Sequence, residues 1–277
     1  MSYQDTLVRH LVEYKASHLG GPGPGVYRYR GRDVSREHIL PIKKKWLNLL
    51  EEHRGEIQGF LSANRRIKLH RYFHHLNSSQ AFALNLFEPF YEGGVVGSTA
   101  LLRAFGQDST LTHWEPEAIP DEAEETNIDV LWDTADGVRT FCEVKLSERD
   151  FGKAALDERH LRKLREIYLP RLGPHLDGAA QRPAVFLASY QVLRNVWHML
   201  GAKTGRLVFL LPRANAALWP LLDLGLSGVS PTVRGRVAAV AIEDLLDVLS
   251  ADVRCPQQLK AYVSSIRRKY VPKDRAT

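Results

Sequence analysis

The chain has 277 residues, 44% hydrophobic and 25% charged, an ordinary globular composition that argues against disorder or a fibrous repeat. The formal net charge of +6 favours a polyanionic partner without identifying one. Cys142 and Cys255 supply neither a disulfide framework nor zinc-ligand spacing, and no apolar run is long enough to span a bilayer, so membrane and disulfide-scaffold classes drop out.

Residues 1–19 carry Leu7, Leu11 and Tyr14 at helical spacing, which predicts a charged amphipathic helix without a signal-peptide core and hence a cytoplasmic protein. GGPGPG at 20–25 breaks that helix and is the expected hinge or flexible loop. YRYRGRD follows, where tyrosines and arginines interleave; the pattern suits base stacking and phosphate contact, or an ordinary exposed strand or loop. Helices are predicted over 41–54, with Ile42, Trp46, Leu49 and Leu50 as the apolar stripe, and over 55–61. The lysine run 43–45 sits near the start of the first, where cations oppose the helix dipole. Asn77 or Ser78 caps a strongly apolar helix containing Phe82, Leu86 and Phe90, expected to pack on a sheet. His70, His74 and His75 stand at i, i+4 and i+5, but no further ligand group supports a metal there. A helix over 93–105 ends near Gly106, and a strand is predicted over 111–119, with Glu115 and Glu117 on one face, either solvated or part of a site.

Residues 127–145, NIDVLWDTADGVRTFCEVK, predict a β-hairpin: two β-rich segments around DTADG. Side chains alternate between faces, so Phe141, Glu143 and Lys145 share one face and Thr140, Cys142 and Val144 the other. The register that buries both apolar sets places Asp129 beside Glu143 and Lys145. Two neighbouring carboxylates repel, and desolvating either is costly. A hard divalent cation such as Mg²⁺, held by one or two carboxylates, relieves both problems, and the lysine can orient a water or neutralise phosphate charge. The plain alternative is a surface hairpin with solvated charges.

Beyond Lys145 the chain turns helical and basic, with Leu156, Leu161, Leu164, Ile167 and Tyr168 as its apolar stripe. Residues 183–200 predict a strand (Val185, Phe186, Leu187) and then a helix opened by Tyr190 and Gln191. Buried strands are predicted at 206–212 and 236–242, a helix over 215–225, and two closing helices. Such alternation is what an α/β sheet requires. Basic residues concentrate at 28–36, 43–45, 65–71, 159–171 and 267–273, where phosphate contacts are expected.

The spacing D-x13-E-x-K resembles that of the PD-(D/E)xK nuclease superfamily. HLNSSQAFALNLF resembles the helix that opens the core in small bacterial restriction-endonuclease-like families, and LSERDFGKA and YQVLRN are similar to segments of the same families. The resemblance covers roughly residues 70–215. It implies an α/β restriction-endonuclease-like core, a mixed central β-sheet flanked by helices, over 70–277, with a helical N-terminal region over 1–69 that could contact DNA. It implies a metal-dependent deoxyribonuclease using Mg²⁺ or Mn²⁺, for which a homodimer would suit the cutting of two strands. Asp129, Glu143 and the Val144 carbonyl would hold the metal, and Lys145 would orient the attacking water. Gln80 is the best candidate for a further site residue, Glu88 the second, with Glu117, Glu148 and Gln191 as other candidates. Lys145→Ala is expected to spare folding. A catalytically silent DNA-binding module, or a metal-dependent hydrolase on another substrate, remains the alternative.

Overall fold

The structure, a computed structural model, describes residues 2–272. It divides into two units, Met1–Leu111 with Ala241–Thr277 and the intervening Thr112–Val240. In this division residues 70–111 group with the N-terminal region and the closing helices.

In the first unit, α1 (Tyr3–His18) starts at a capping box in which Ser2 and Asp5 satisfy each other's backbone N–H. Its buried Lys15 donates to the carbonyls of Gly23, Glu37 and Ile39 at 2.9, 2.7 and 2.9 Å. That ammonium fastens the 20–25 segment expected to be a hinge. β1 (Gly25–Tyr29) and β2 (Arg32–Arg36) form an antiparallel ribbon, so this region is not purely helical. Arg30 and Gly31, at φ 48° and 79°, make the tight turn between them.

The helix predicted over 41–54 is instead two 3-10 segments, Ile42–Asn48 and Glu51–His53, followed by α2 (Arg54–Ala63). Tertiary hydrogen bonds override the local preference: Leu50 N–H donates to Asn85 Oδ1 at 2.8 Å, and Asn48 Nδ2 donates to the Phe73 and His75 carbonyls. Ser78 caps α3 (Ser79–Tyr91), whose residues from Gln80 to Tyr91 are all buried. Burying each of Phe82, Phe87 and Phe90 is worth about 2–3 kcal/mol before entropy is counted. α4 (Gly94–Ala104) follows.

The second unit is built on a five-stranded sheet of order β3-β4-β5-β6-β7. It comprises β3 (Leu111–Ala118), β4 (Ile128–Thr134), β5 (Arg139–Val144), β6 (Gly205–Leu211) and β7 (Val237–Ala241). β4 and β5 are antiparallel and β5 and β6 parallel, so the sheet is mixed as expected. Between β5 and β6, α5 (Glu158–Lys163) passes through a π-helical stretch into α6 (Leu169–Leu172), followed by α7 (Pro183–Ala188) and α8 (Tyr190–Gly201). α7 replaces the strand predicted at 185–187. Pro183 pre-sets its first turn, and Phe186 and Leu187 are buried in succession, which alternation in a strand would not give.

Leu131, Phe141, Leu207 and Phe209 pack with Val192, Leu193, Val196 and Trp197 of α8. α9 (Leu218–Leu226) and α10 (Pro231–Arg234) precede β7, which lies at the sheet edge and is mostly half-buried, rather than fully buried as predicted. The chain then rejoins the first unit as α11 (Ile242–Ala251) and α12 (Gln257–Tyr270), where Tyr270 Oη accepts from Asn85 Nδ2 at 2.7 Å. No helix among the described residues is long and apolar enough to cross a membrane.

Candidate active site

The hairpin closes in the register expected of it: Val130 opposes Cys142, Leu131 opposes Phe141 and Trp132 opposes Thr140, with Gly137 at φ 81° in the turn. One further step brings Asp129 across from Glu143. The strands part there, because Val144 N–H donates to Asp129 Oδ2 at 2.7 Å. Asp129 is thus anchored to the backbone between Glu143 and Lys145.

Glu143 and Lys145 are 2% and 7% exposed, and Lys145 Nζ stands 2.8 Å from Glu143 Oε1. α8 completes the arrangement. Gln191 Nε2 donates to Glu143 Oε1 at 2.7 Å while Gln191 Oε1 accepts from Lys145 Nζ at 2.9 Å; Asn195 Nδ2 donates to Glu143 Oε2 at 2.9 Å. Gln191 and Asn195 are four residues apart and so lie on one helical face. Gly152, at φ +81°, lies against Gln191, where an added Cβ would stand 3.2 Å from the Gln191 Oε1. Gln191, expected only as one of several candidates, bridges acid and lysine. Asn195 was not foreseen; its signal is the Q-x-x-x-N spacing that follows Tyr190.

The electrostatics separate the two acids. Burial raises the Asp129 carboxyl well above its usual range, the Glu143 charge adds to this, and Lys145 opposes it only in part. Burial also acts on Glu143, but the Lys145 ammonium and the Arg194 guanidinium outweigh it and hold that carboxyl below its usual range. For Lys145, burial is outweighed by Glu143, Glu148 and Asp129, so the ammonium stays protonated. Glu148 accepts from Leu146 and Ser147 N–H at 2.6 and 2.8 Å, which folds the chain back just after the lysine. Glu117, at φ +53°, accepts from Asn127 Nδ2 at 3.0 Å, and its charge also raises Asp129.

Beside this group Glu124 is buried yet ionised. Burial would raise its carboxyl, but hydrogen bonds from His198, Thr126 and Tyr168 bring it down to about 2. Tyr168 Oη donates to Glu124 at 2.5 Å and lies 2.7 Å from Tyr190 Oη, which fixes the start of α8 next to Gln191.

Gln80 belongs to the first unit, where its Oε1 accepts from His70 N–H at 2.8 Å and its Nε2 donates to the Lys68 carbonyl at 3.0 Å. The amide proposed for catalysis thus secures the segment that leads into its own helix. Glu88 is buried in the same helix.

The donor set can be tested against a divalent metal. Among the described residues no three His, Cys, Asp or Glu side chains group as a metal site. Asp129 and Glu143 instead offer two carboxylates, the charge of Asp129 only partly compensated, and one or two carboxylates are what Mg²⁺ takes while keeping several waters. The residues present fit a hard, oxygen-preferring cation and not a zinc centre.

The sequence model of the family described as "Restriction Endonuclease associating with ARP" matches residues 9–271. No curated protein and no solved structure matches the chain.

Proposed function

The chain belongs to the family of restriction endonucleases associating with ARP, and on that premise we propose that it hydrolyses DNA phosphodiester bonds with Mg²⁺ or Mn²⁺. The observation that carries this reading is the convergence of Asp129, Glu143 and Lys145 at the parted end of β4 and β5, braced by Gln191 and Asn195.

Asp129 and Glu143 would hold the metal, with the Val144 carbonyl as a further oxygen ligand. When bound, the metal supplies Lewis-acid stabilisation of phosphate charge and a lowered water pKa. The chain's own groups do the rest. Gln191 and Asn195 each donate to one Glu143 oxygen, which fixes the plane of that carboxylate. Lys145 spends two of its three N–H donors on Glu143 and Gln191, leaving the third for an attacking water or a scissile phosphate oxygen. Because it stays protonated, its work is orientation and charge stabilisation, not proton removal. Cutting both strands of a duplex suits two copies with one site each.

The test is plasmid cleavage in Mg²⁺, Mn²⁺ or EDTA, with Glu143→Gln alongside. Cutting should require metal and should fall on the order of 10²–10³-fold or more in the variant. Cutting that survives EDTA or the substitution sinks the mechanism, and metal-independent binding without any cutting favours a silent DNA-binding module.

A further inference from the structure

The β1–β2 ribbon of the first unit plays no part in the site above. It is two five-residue strands, exposed over most of their length, with Val26 and Tyr29 at 51% and 50% exposure. An isolated two-stranded ribbon is marginal in water. The register sorts its faces. Tyr27 opposes Val34, Tyr29 opposes Arg32 and Gly25 opposes Arg36, so two tyrosines and two arginines share a face, while Arg28 and Asp33 lie on the other.

That face continues onto the segment before α3. The Tyr27 ring meets Tyr72 edge-on at 6.0 Å and His75 at 5.1 Å. The Leu40 and Leu76 N–H groups bond the His74 and His38 carbonyls and hold the two segments together. Arg30 lies over Tyr29 at 5.3 Å and Arg71 over Tyr72 at 4.5 Å. Among the described residues no carboxylate pairs with Arg30, Arg32, Arg36 or Arg71, all of them exposed. Arg30 and Arg71 stack on tyrosines and leave their guanidinium edges open to an anion.

We infer that the β1–β2 ribbon is a DNA-docking element, which enters a groove of duplex DNA with Arg30, Arg32 and Arg36 on phosphates or base edges. The major groove admits a two-stranded ribbon, and the positive face is complementary to the phosphate backbone. The inference rests on the reading of this chain as a DNA enzyme and adds an element of the first unit that grips that DNA.

The test is binding of the full chain to a short labelled DNA duplex in EDTA, where no cutting occurs, over a range of salt. Arg30→Ala/Arg32→Ala/Arg36→Ala should weaken binding about tenfold or more and flatten the log–log salt slope by roughly 2–3, about 0.9 for each phosphate no longer neutralised. Tyr29→Ala should weaken binding less and leave that slope unchanged. All four side chains are exposed, and unchanged melting checks that the variants fold. Lys43→Ala/Lys44→Ala/Lys45→Ala is the control for diffuse attraction. Wild-type slope and affinity in the arginine variant, or an equal loss in the lysine control, overturns the ribbon's role even while Mg²⁺-dependent cutting stands. A single strand bound more tightly than the duplex overturns groove docking. Absence of any DNA binding or cutting by the wild type removes the enzyme reading and this inference together.

Discussion

Glu88 in the first unit and Glu143 in the second are each only 2% exposed, yet they face opposite electrostatic situations. Glu88 Oε2 has no hydrogen-bond partner; burial, then the charges of Glu56 and Glu92, push its carboxyl up to about 8. Glu143 has Lys145, Gln191 and Asn195 around it and stays ionised despite equal burial. Burial alone makes an acid neutral; a built set of donors keeps it charged. A perturbed carboxyl is therefore a poor pointer to a site unless its partners are counted, since Glu88 is strongly shifted by burial with no constellation around it.

The largest effect expected from this contrast is at Lys145. Removing one partner of a buried pair strands the other charge, so Lys145→Ala should cost about 3–5 kcal/mol in urea unfolding. The sequence alone suggests a change silent for folding; burial of the ammonium is what alters that expectation. Adding Glu143→Gln to Lys145→Ala should recover a large part of the loss, because no charge then remains unpaired. A single-variant cost below about 1 kcal/mol would mean that the pair behaves like a surface one.

Glu88→Gln sharpens the other half. A carboxyl at about 8 in the folded state and 4.5 in the unfolded state holds its proton when folded and releases it when unfolded. Its contribution is intact below pH 4.5 and is lost as pH rises toward 8, at about 1.4 kcal/mol per pH unit. At pH 7 the variant should be more stable by on the order of 2–3 kcal/mol and should lose this slope. Parallel stability–pH curves for variant and wild type would show that Glu88 is not held neutral.

What was legible in the sequence follows the same division between local and long-range causes. Alternation and the DTADG turn were enough for the hairpin and its register, and so for the placing of Asp129 beside Glu143 and Lys145. Ser78 as a cap and the apolar run after it marked α3. The misread stretches depend on partners distant in the chain. Leu50 leaves the helical region because Asn85, 35 residues on, engages its backbone, and 183–188 is helical with Phe186 and Leu187 both buried in the core beneath α8. The Gln80 amide bonds the His70 N–H and the Lys68 carbonyl, partners that local sequence does not reveal. Asn195 lies in a helix whose inward face is fixed only by the sheet beneath it.

Asp129 combines the raised carboxyl of Glu88 with the partnered setting of Glu143, and its substitution is the smallest and most discriminating change. Burial and the Glu143 charge make its ionised form unfavourable in the absence of a cation, while Val144 N–H still needs an acceptor. Asparagine keeps that acceptor and drops the charge. Asp129→Asn should therefore raise stability by about 1 kcal/mol near neutral pH, as replacing a strained functional group often does. The sign follows from linkage: a carboxyl raised in the folded state costs stability above its unfolded pKa, so the gain should grow as pH rises above the ordinary carboxylate range. Added Mg²⁺ should then raise the melting temperature of the wild type and not of Asp129→Asn, closing the gap between them, because a bound cation removes the repulsion that the substitution removes. A gap that stays constant with pH and metal would assign the Asp129 carboxylate to the backbone of Val144 alone.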